Sequence, residues 1–356
     1  MIDVPRTIEQ SLLRGLSLLV VTLFFTGCGG LQSAISPAGP QANHISKLWW
    51  LMFYVSAAVF ILVVIFLFLA IAQRRKQVAP PGDTSQYNTP ELYPPSDAER
   101  KKYNVVVSAT ALMVVILFVF LLESFFVGRG LTAELSRKQG VVIEVTGHQW
   151  WWEVRYLNVD ASSIFTTANE IHIPVGVPVT ISLKANDVVH SFWVPNLSGK
   201  KDLIPGKLST VWLQADKSGV YRGQCAEYCG YQHAHMALWV FADPAEQFNA
   251  WLQSQIQSSI QPANESQKRG QQVFLASACV MCHTINGTPA GSNIGPNLTH
   301  LASRNTIAAA TMENTRDHLL QWVTDSQQIK PGNRMPPNSL SPEDLQALLD
   351  YLQSLK

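Results

Sequence analysis

The chain has 356 residues, of which 47% are hydrophobic and only 14% charged, and its formal net charge is +1. That length accommodates two or three domains. Near-neutrality excludes the strongly basic surface of a nucleic-acid binder, and no basic run carries the aromatic interleaving such a surface needs. Scarce charge with early-concentrated hydrophobic residues points to a membrane protein with soluble parts.

Residues 1–28 read as a signal peptide. Leu16 to Phe25 is a short apolar run after Arg6 and Arg14, too short for a permanent span. Thr26-Gly27-Cys28 resembles a bacterial lipobox, which predicts cleavage before Cys28 and lipidation of its sulfur. Phe25 stands where Leu is usual, and the competing reading is an uncleaved anchor with an ordinary cysteine.

Residues 48–72 and 105–127 are each long and apolar enough to cross about 30 Å of hydrocarbon as a helix. Trp49 and Trp50 open the first as interface anchors. Arg74, Arg75, Lys76, Arg100, Lys101 and Lys102 all fall in the Pro-rich loop 73–104. Cationic loops stay in the cytoplasm, so this loop is expected inside and everything after Val127 outside. The signal peptide requires the same orientation.

Residues 140–243 change to short alternating runs. Val141–Val145, Trp150–Tyr156, Glu170–Ile173, Val177–Leu183, Thr210–Leu213 and Leu238–Phe241 read as strands separated by Gly, Pro, Asn and Asp, the pattern of a β-sandwich or barrel. A closing amphipathic helix is expected over Pro244–Ile256, within a helix-and-linker stretch 244–264 whose Gln/Ser-rich part begins at Gln253. Residues 265–356 read as a small helical domain, with helices at 265–278, 315–325 and 341–355. Ser341-Pro342-Glu343-Asp344 is a strong helix start: Ser caps, Pro takes the first position, and acids follow.

Cys279-Val280-Met281-Cys282-His283 is a C-x-x-C-H run, the attachment signal for haem c. Cys279 and Cys282 would bond the vinyl groups, and His283 would ligate the iron. A zinc knuckle would need a second pair of ligands nearby, and only His300 and His318 remain downstream. The sixth ligand is expected to be Met335, presented by the rigid loop Lys330-Pro331-Gly332-Asn333-Arg334-Met335-Pro336-Pro337. Met312 is the competing candidate. With Gly295-Pro296-Asn297-Leu298, these motifs resemble class I cytochromes c.

A second constellation runs from Cys225 to Met236. Cys229, His233, Met236 and an upstream His190 form the two-His, Cys and axial-Met set of blue copper on a β-sandwich. Cys225 is one thiolate too many for that site, and two thiolates on one loop can bridge two coppers, one taking His190 and Met236 or their exchange partners, the other His233 and the Glu227 carbonyl. A zinc site from Cys225, Cys229, His233 and His190 is also chemically feasible, and a Cys225–Cys229 disulfide is the remaining competitor. His148, His172 and His235 are expected to be structural.

The stretches Asp187–Phe192, Lys200–Gly206 and Gly219–Met236 closely resemble subunit II of haem–copper cytochrome c oxidase, and the added haem domain resembles the caa-type form. The resemblance implies a two-helix hairpin, an all-β cupredoxin-like domain and an all-α class I cytochrome c domain. It implies two copper ions held by His190, Cys225, the Glu227 carbonyl, Cys229, His233 and Met236. It also implies a magnesium ion met by the Glu227 side chain at subunit I, and an electron-entrance tryptophan at Trp150. Trp151 departs from the family's usual Tyr, and it and Trp152 are expected to pack. The Glu-Trp-Pro that serves a proton channel in many relatives is missing near Lys101–Ala109, so no proton-channel residue is assigned. Expected partners are subunit I, subunit III and an external electron donor. Two other functions fit the same residues: the electron-accepting subunit of a dicopper nitric oxide reductase, and a membrane-anchored copper-binding protein.

Overall fold

The computed structural model describes residues 30–76, 97–135, 140–157 and 163–356. The expected signal peptide, Cys28 and the centre of the basic loop lie outside the described residues. Two compact units are present, residues 44–134 and the remainder.

The first unit is built on two long helices, α1 (Pro40–Lys76, 37 residues) and α2 (Asp97–Leu135, 39 residues). At about 1.5 Å per residue each is roughly 55–60 Å long, well beyond a hydrocarbon core of about 30 Å. Both expected spans lie inside them. Phe60, Phe66, Phe68, Leu112, Phe118 and Phe126 stand exposed with no protein cover, as lipid-facing residues do. Both described ends of the stretch expected as the loop 73–104 are helical. Helix continues to Lys76 and resumes at Asp97, so Arg100, Lys101 and Lys102 lie on helical turns. Asp97 and Glu99 occupy the first turn of α2, where acids favour the positive end of the helix dipole.

The second unit begins with residues 30–43, tied down by backbone bonds from Ala38 N to Asn196 O (2.7 Å) and Asp216 N to Ala38 O (2.8 Å). Ten strands follow: β1 (Val141–His148), β2 (Trp151–Tyr156), β3 (Phe165–Ala168), β4 (Glu170–Pro174), β5 (Val179–Ala185), β6 (His190–Trp193), β7 (Lys201–Leu203), β8 (Ser209–Leu213), β9 (Gly219–Cys225) and β10 (Ala237–Asp243). They form two five-stranded sheets, ordered β3-β2-β1-β5-β8 and β4-β10-β9-β6-β7. The parallel pairs β1·β5 and β4·β10 and the antiparallel remainder make a sandwich of mixed sheets. Ile143, Val145, Trp152, Val154, Ile181, Leu183, Phe192, Leu238 and Val240 alternate inward and are buried between the sheets, as period-2 patterning requires. Helix α3 (Ala245–Ile256) closes one end by placing Trp251 against Tyr156, Phe165 and His172.

A separate core belongs to the C-terminal helices α4 (Glu265–Ala276), α5 (Arg316–Thr324) and α6 (Pro342–Leu352). Asn264, Thr315 and Ser341 cap them by accepting from the amides of Gln267, His318 and Asp344. The short pair β11 (Thr306–Ile307) and β12 (Met312–Glu313) stands beside them. Helices α4 and α6 cross at Gly270, where an added Cβ would lie 2.0 Å from the Ala347 carbonyl oxygen.

Candidate copper and haem sites

Cys225 ends β9, whose partner β6 starts at His190, and Phe192 pairs with Cys225. This register brings a residue 35 positions upstream beside the cysteine loop. Cys225 Sγ lies 3.8 Å from Cys229 Sγ, 3.9 Å from His190 Nδ1 and 3.2 Å from the Glu227 carbonyl. Cys229 Sγ lies 3.6 Å from His233 Nδ1 and 3.8 Å from Met236 Sδ. The sulfurs are free thiols, far outside the ~2.05 Å of a disulfide. His190, Met236 and both cysteines are buried.

This donor set fits copper. Two thiolates, two imidazoles and a thioether are soft to borderline ligands, and a zinc site from the cysteines and histidines would leave the fully buried Met236 sulfur unexplained. The cysteines share a proton. The hydrogen bond between the two sulfurs holds Cys225 far below the ordinary thiol range and, together with burial and the Cys225 charge, drives Cys229 upward.

The rings are aimed by their surroundings. His190 Nε2 bonds Asp187 Oδ1 at 2.8 Å, which turns Nδ1 toward Cys225. A carboxylate behind a ligating imidazole fixes tautomer and orientation. Burial disfavours the His190 imidazolium, but the bonds to Asp187 and Cys225 outweigh it and raise the ring above an ordinary histidine. Burial also acts to raise Asp187, yet the His190 ring and the amides of Val188 and Gln149 hold its carboxyl below the usual range. Gly147 makes room, since a Cβ there would sit 2.8 Å from His190 Cδ2.

The three tryptophans separate by role. Trp150 donates its indole N–H to the Cys229 carbonyl at 2.9 Å, joined there by Gln149 Nε2 at 2.8 Å. Trp151 stacks on His148, 4.3 Å between centroids, and Trp152 is buried with its edge toward His190 and Phe192. His172 bonds Asp243 (2.7 Å) and His235 bonds Gln232 (2.8 Å), as structural histidines do.

Cys279, Cys282, His283 and Met335 line one cleft together with Leu298, Leu319, Trp322 and Leu352. His283 Nδ1 bonds the Pro296 carbonyl at 2.8 Å, leaving Nε2 for iron. Burial pulls its basicity down, which favours the neutral ligating ring. Gly295 is required here, because a Cβ would lie 2.8 Å from His283 Cε1. Half-buried Arg304, drawn down to about 10 by desolvation, lines the cleft with its Nε buried and unpartnered, a donor suited to a haem carboxylate. The residues fit a haem.

The Met335 loop is braced. Met335 N donates to Asn333 Oδ1 (2.7 Å), and its carbonyl accepts from Ser326 Oγ (2.7 Å) and Gln327 Nε2 (2.8 Å). Met312 instead packs against the helical core and does not line the cleft. Met281 points outward, 69% exposed.

His148, Gln149, Trp150, Trp151 and Asn169 of the sandwich also line the haem cleft. The two soluble domains meet there, and the spacing of motifs gave no sign of it. Glu170 Oε1 accepts from the amides of Asn305 (2.8 Å) and Thr306 (2.9 Å). Burial lifts Glu170 above the ordinary carboxylate range against the pull of the Thr306 amide and Arg304. Lys330 reaches from the Met335 loop into the sandwich, and burial draws it down to about 7. A carboxylate three residues before a histidine ligand could have pointed to Asp187. Glu170, Arg304 and Lys330 carry no such signal.

Fold and sites together define a membrane-anchored electron-transfer protein with a cupredoxin-like domain and a cytochrome domain. Residues 157–242 match the family described as cytochrome c oxidase subunit II, periplasmic domain, and residues 267–356 match cytochrome c. Cytochrome c oxidase subunit 2 of Alkalihalophilus pseudofirmus is 37% identical over 347 residues, 96% of this chain and 97% of the relative. The subunit 2 of Bacillus subtilis is 27% identical over 360 residues, again 96% and 97% of the two chains. The chain belongs to the cytochrome c oxidase subunit II family, in the form that carries a fused cytochrome c, and is a subunit of a haem–copper oxidase. It is accordingly a membrane protein with its sandwich domain on the outer side.

Proposed function

We propose that this subunit accepts electrons from an external donor at a haem c held covalently by Cys279 and Cys282. His283 and Met335 would hold its iron. When bound, this haem and a dinuclear copper centre each carry one electron at a time toward subunit I, where oxygen is reduced to water with proton pumping. His190, Cys225, the Glu227 carbonyl, Cys229, His233 and Met236 hold the coppers. The half-buried Glu227 side chain is left to meet magnesium at subunit I. Subunit III is a further partner, the bacterial cell membrane is the location, and Cys28 carries lipid.

One observation carries this reading. Trp150 lines the haem cleft and hydrogen-bonds the carbonyl of Cys229, so a single side chain spans from the wall of one site to a ligand of the other. The chain's own work is to place that indole, to fix each imidazole by its rear hydrogen bond, and to keep water from the thiolates. Full burial of Met236 and near-full burial of Cys225 disfavour an exchangeable copper store. Metal analysis and spectroscopy of the purified chain test the assignment. Two coppers and one haem c per chain are expected, and one copper, or zinc, would refute the dicopper centre.

A further inference from the structure

Lys330 is 2% exposed, and lysines are almost never so buried unless partnered. Its Nζ donates to the carbonyls of Trp150 (2.9 Å), His235 (2.8 Å) and Ala308 (3.1 Å). Three acceptors match the three protons of an ammonium. Two belong to the sandwich and one to the cytochrome domain, so the charge sits on the boundary. The adjoining Pro331 carbonyl accepts from Gln232 Nε2 at 2.9 Å, extending the contact along the loop that ends at Met335.

The opposite wall is shaped to receive the charge. Ala308, Ala309 and Ala310 hold φ of 55°, 59° and 58°, a region alanine rarely enters. This turn directs the Ala308 carbonyl to Lys330 and the Ala309 carbonyl to the amide of Ala237, 3.2 Å away in β10. Strained backbone persists only where its surroundings impose it. By contrast, the other charged contact of this loop, Arg334 to Asp187 at 4.0 Å, involves an arginine that is 63% exposed, a weak kind of pair.

We infer that Lys330 is the positioning residue of the relay, its buried ammonium locking the Met335 loop onto the backbone of Trp150 and so fixing the cytochrome domain on the sandwich. This rests on the relay reading above. The lysine lines the haem cleft but is none of the proposed metal ligands, and its ammonium bonds backbone carbonyls. It acts through the loop it anchors and the tryptophan it holds. An apolar side chain of the same length would take the ammonium donor from the Trp150 carbonyl and leave the His235 and Ala308 carbonyls to share the Thr311 hydroxyl (3.4 and 2.7 Å).

The test uses the full chain in the assembled oxidase, comparing wild type with Lys330→Met and Lys330→Arg. One readout is hydrogen exchange at the amides of Asn305, Thr306 and Ala237, which bond across the boundary. The other is the rate at which a photoreduced haem passes its electron to copper. Lys330→Met is expected to speed exchange at all three amides and to slow transfer by about tenfold or more. Its haem and copper spectra should stay at wild type. Lys330→Arg, which keeps the charge, should recover part of both effects. Unchanged exchange and rate in Lys330→Met would overturn the proposal. Should that variant lose its haem spectrum, Lys330→Gln takes its place under the same criteria. If wild-type haem passes no electron to copper while exchange still depends on Lys330, the relay fails and the dock stands.

Discussion

Gly147 shows how far the copper ligands depend on a side chain that is not there. A methyl group at this position would press on the His190 ring at 2.8 Å, and the ring cannot retreat because Asp187 holds its far side. Gly147→Ala should therefore displace His190. Copper content below two per chain is expected by metal analysis, with stability lowered by about 1–3 kcal/mol as in other overpacked cores. The proposed ligands could be picked out in the sequence because four of their side chains crowd into Cys225–Met236. Gly147, Asp187 and Lys330 were not, since each acts on a partner that is remote in the chain. A lysine beside Pro and Gly reads as a solvated loop charge until a second domain is seen to cover it.

Among the elements, the two spans, the closing helix and the three cytochrome helices were readable from apolar length, period and capping residues. The sandwich was readable in outline. Strands β3, β6, β7 and β9 escaped because alternation failed them. β6 is buried over His190–Phe192 rather than alternating, β7 has three residues, and β9 carries Gly219 and Gly223. The missing β6 and β9 are the pair that bring His190 to Cys225, so the site was legible as a list of ligands before the strands that assemble it were. The crossing of α4 and α6 gives a test at this scale. Gly270 meets the Ala347 carbonyl and the Tyr351 side chain so closely that any Cβ must push the helices apart. Gly270→Ala should destabilise the cytochrome domain by about 3 kcal/mol or somewhat more, since backbone rather than a flexible side chain must move. Denaturant unfolding followed at the haem would measure it, and the copper spectrum should be unaffected at low denaturant.

At the scale of the molecule, the stretch expected to act as a tether is itself partly fastened. Ser259 donates to the Asn286 carbonyl through both its amide (3.1 Å) and its hydroxyl (2.8 Å), and His300 bonds the Gln257 carbonyl at 3.0 Å. A tether raises effective concentration only while its cargo is free to leave. Here the cargo is also held by Glu170 on Asn305 and Thr306 and by Lys330 on Trp150. A protease site inserted at exposed Ala263 and then cut should leave the cytochrome domain on the membrane fraction after washing. Prompt release of the cut domain would show that the linker alone retains it.

The 7% exposure of Trp150 has a consequence for traffic. Under the Met335 loop this indole offers no landing place to a diffusing carrier. On the relay proposed above, current reaching copper through Trp150 would first pass the haem, which puts the two centres in series. In that arrangement the donor would be recognised on the outer rim of the cytochrome domain, where Met281 and Ile294 stand exposed, rather than at this face of the copper domain.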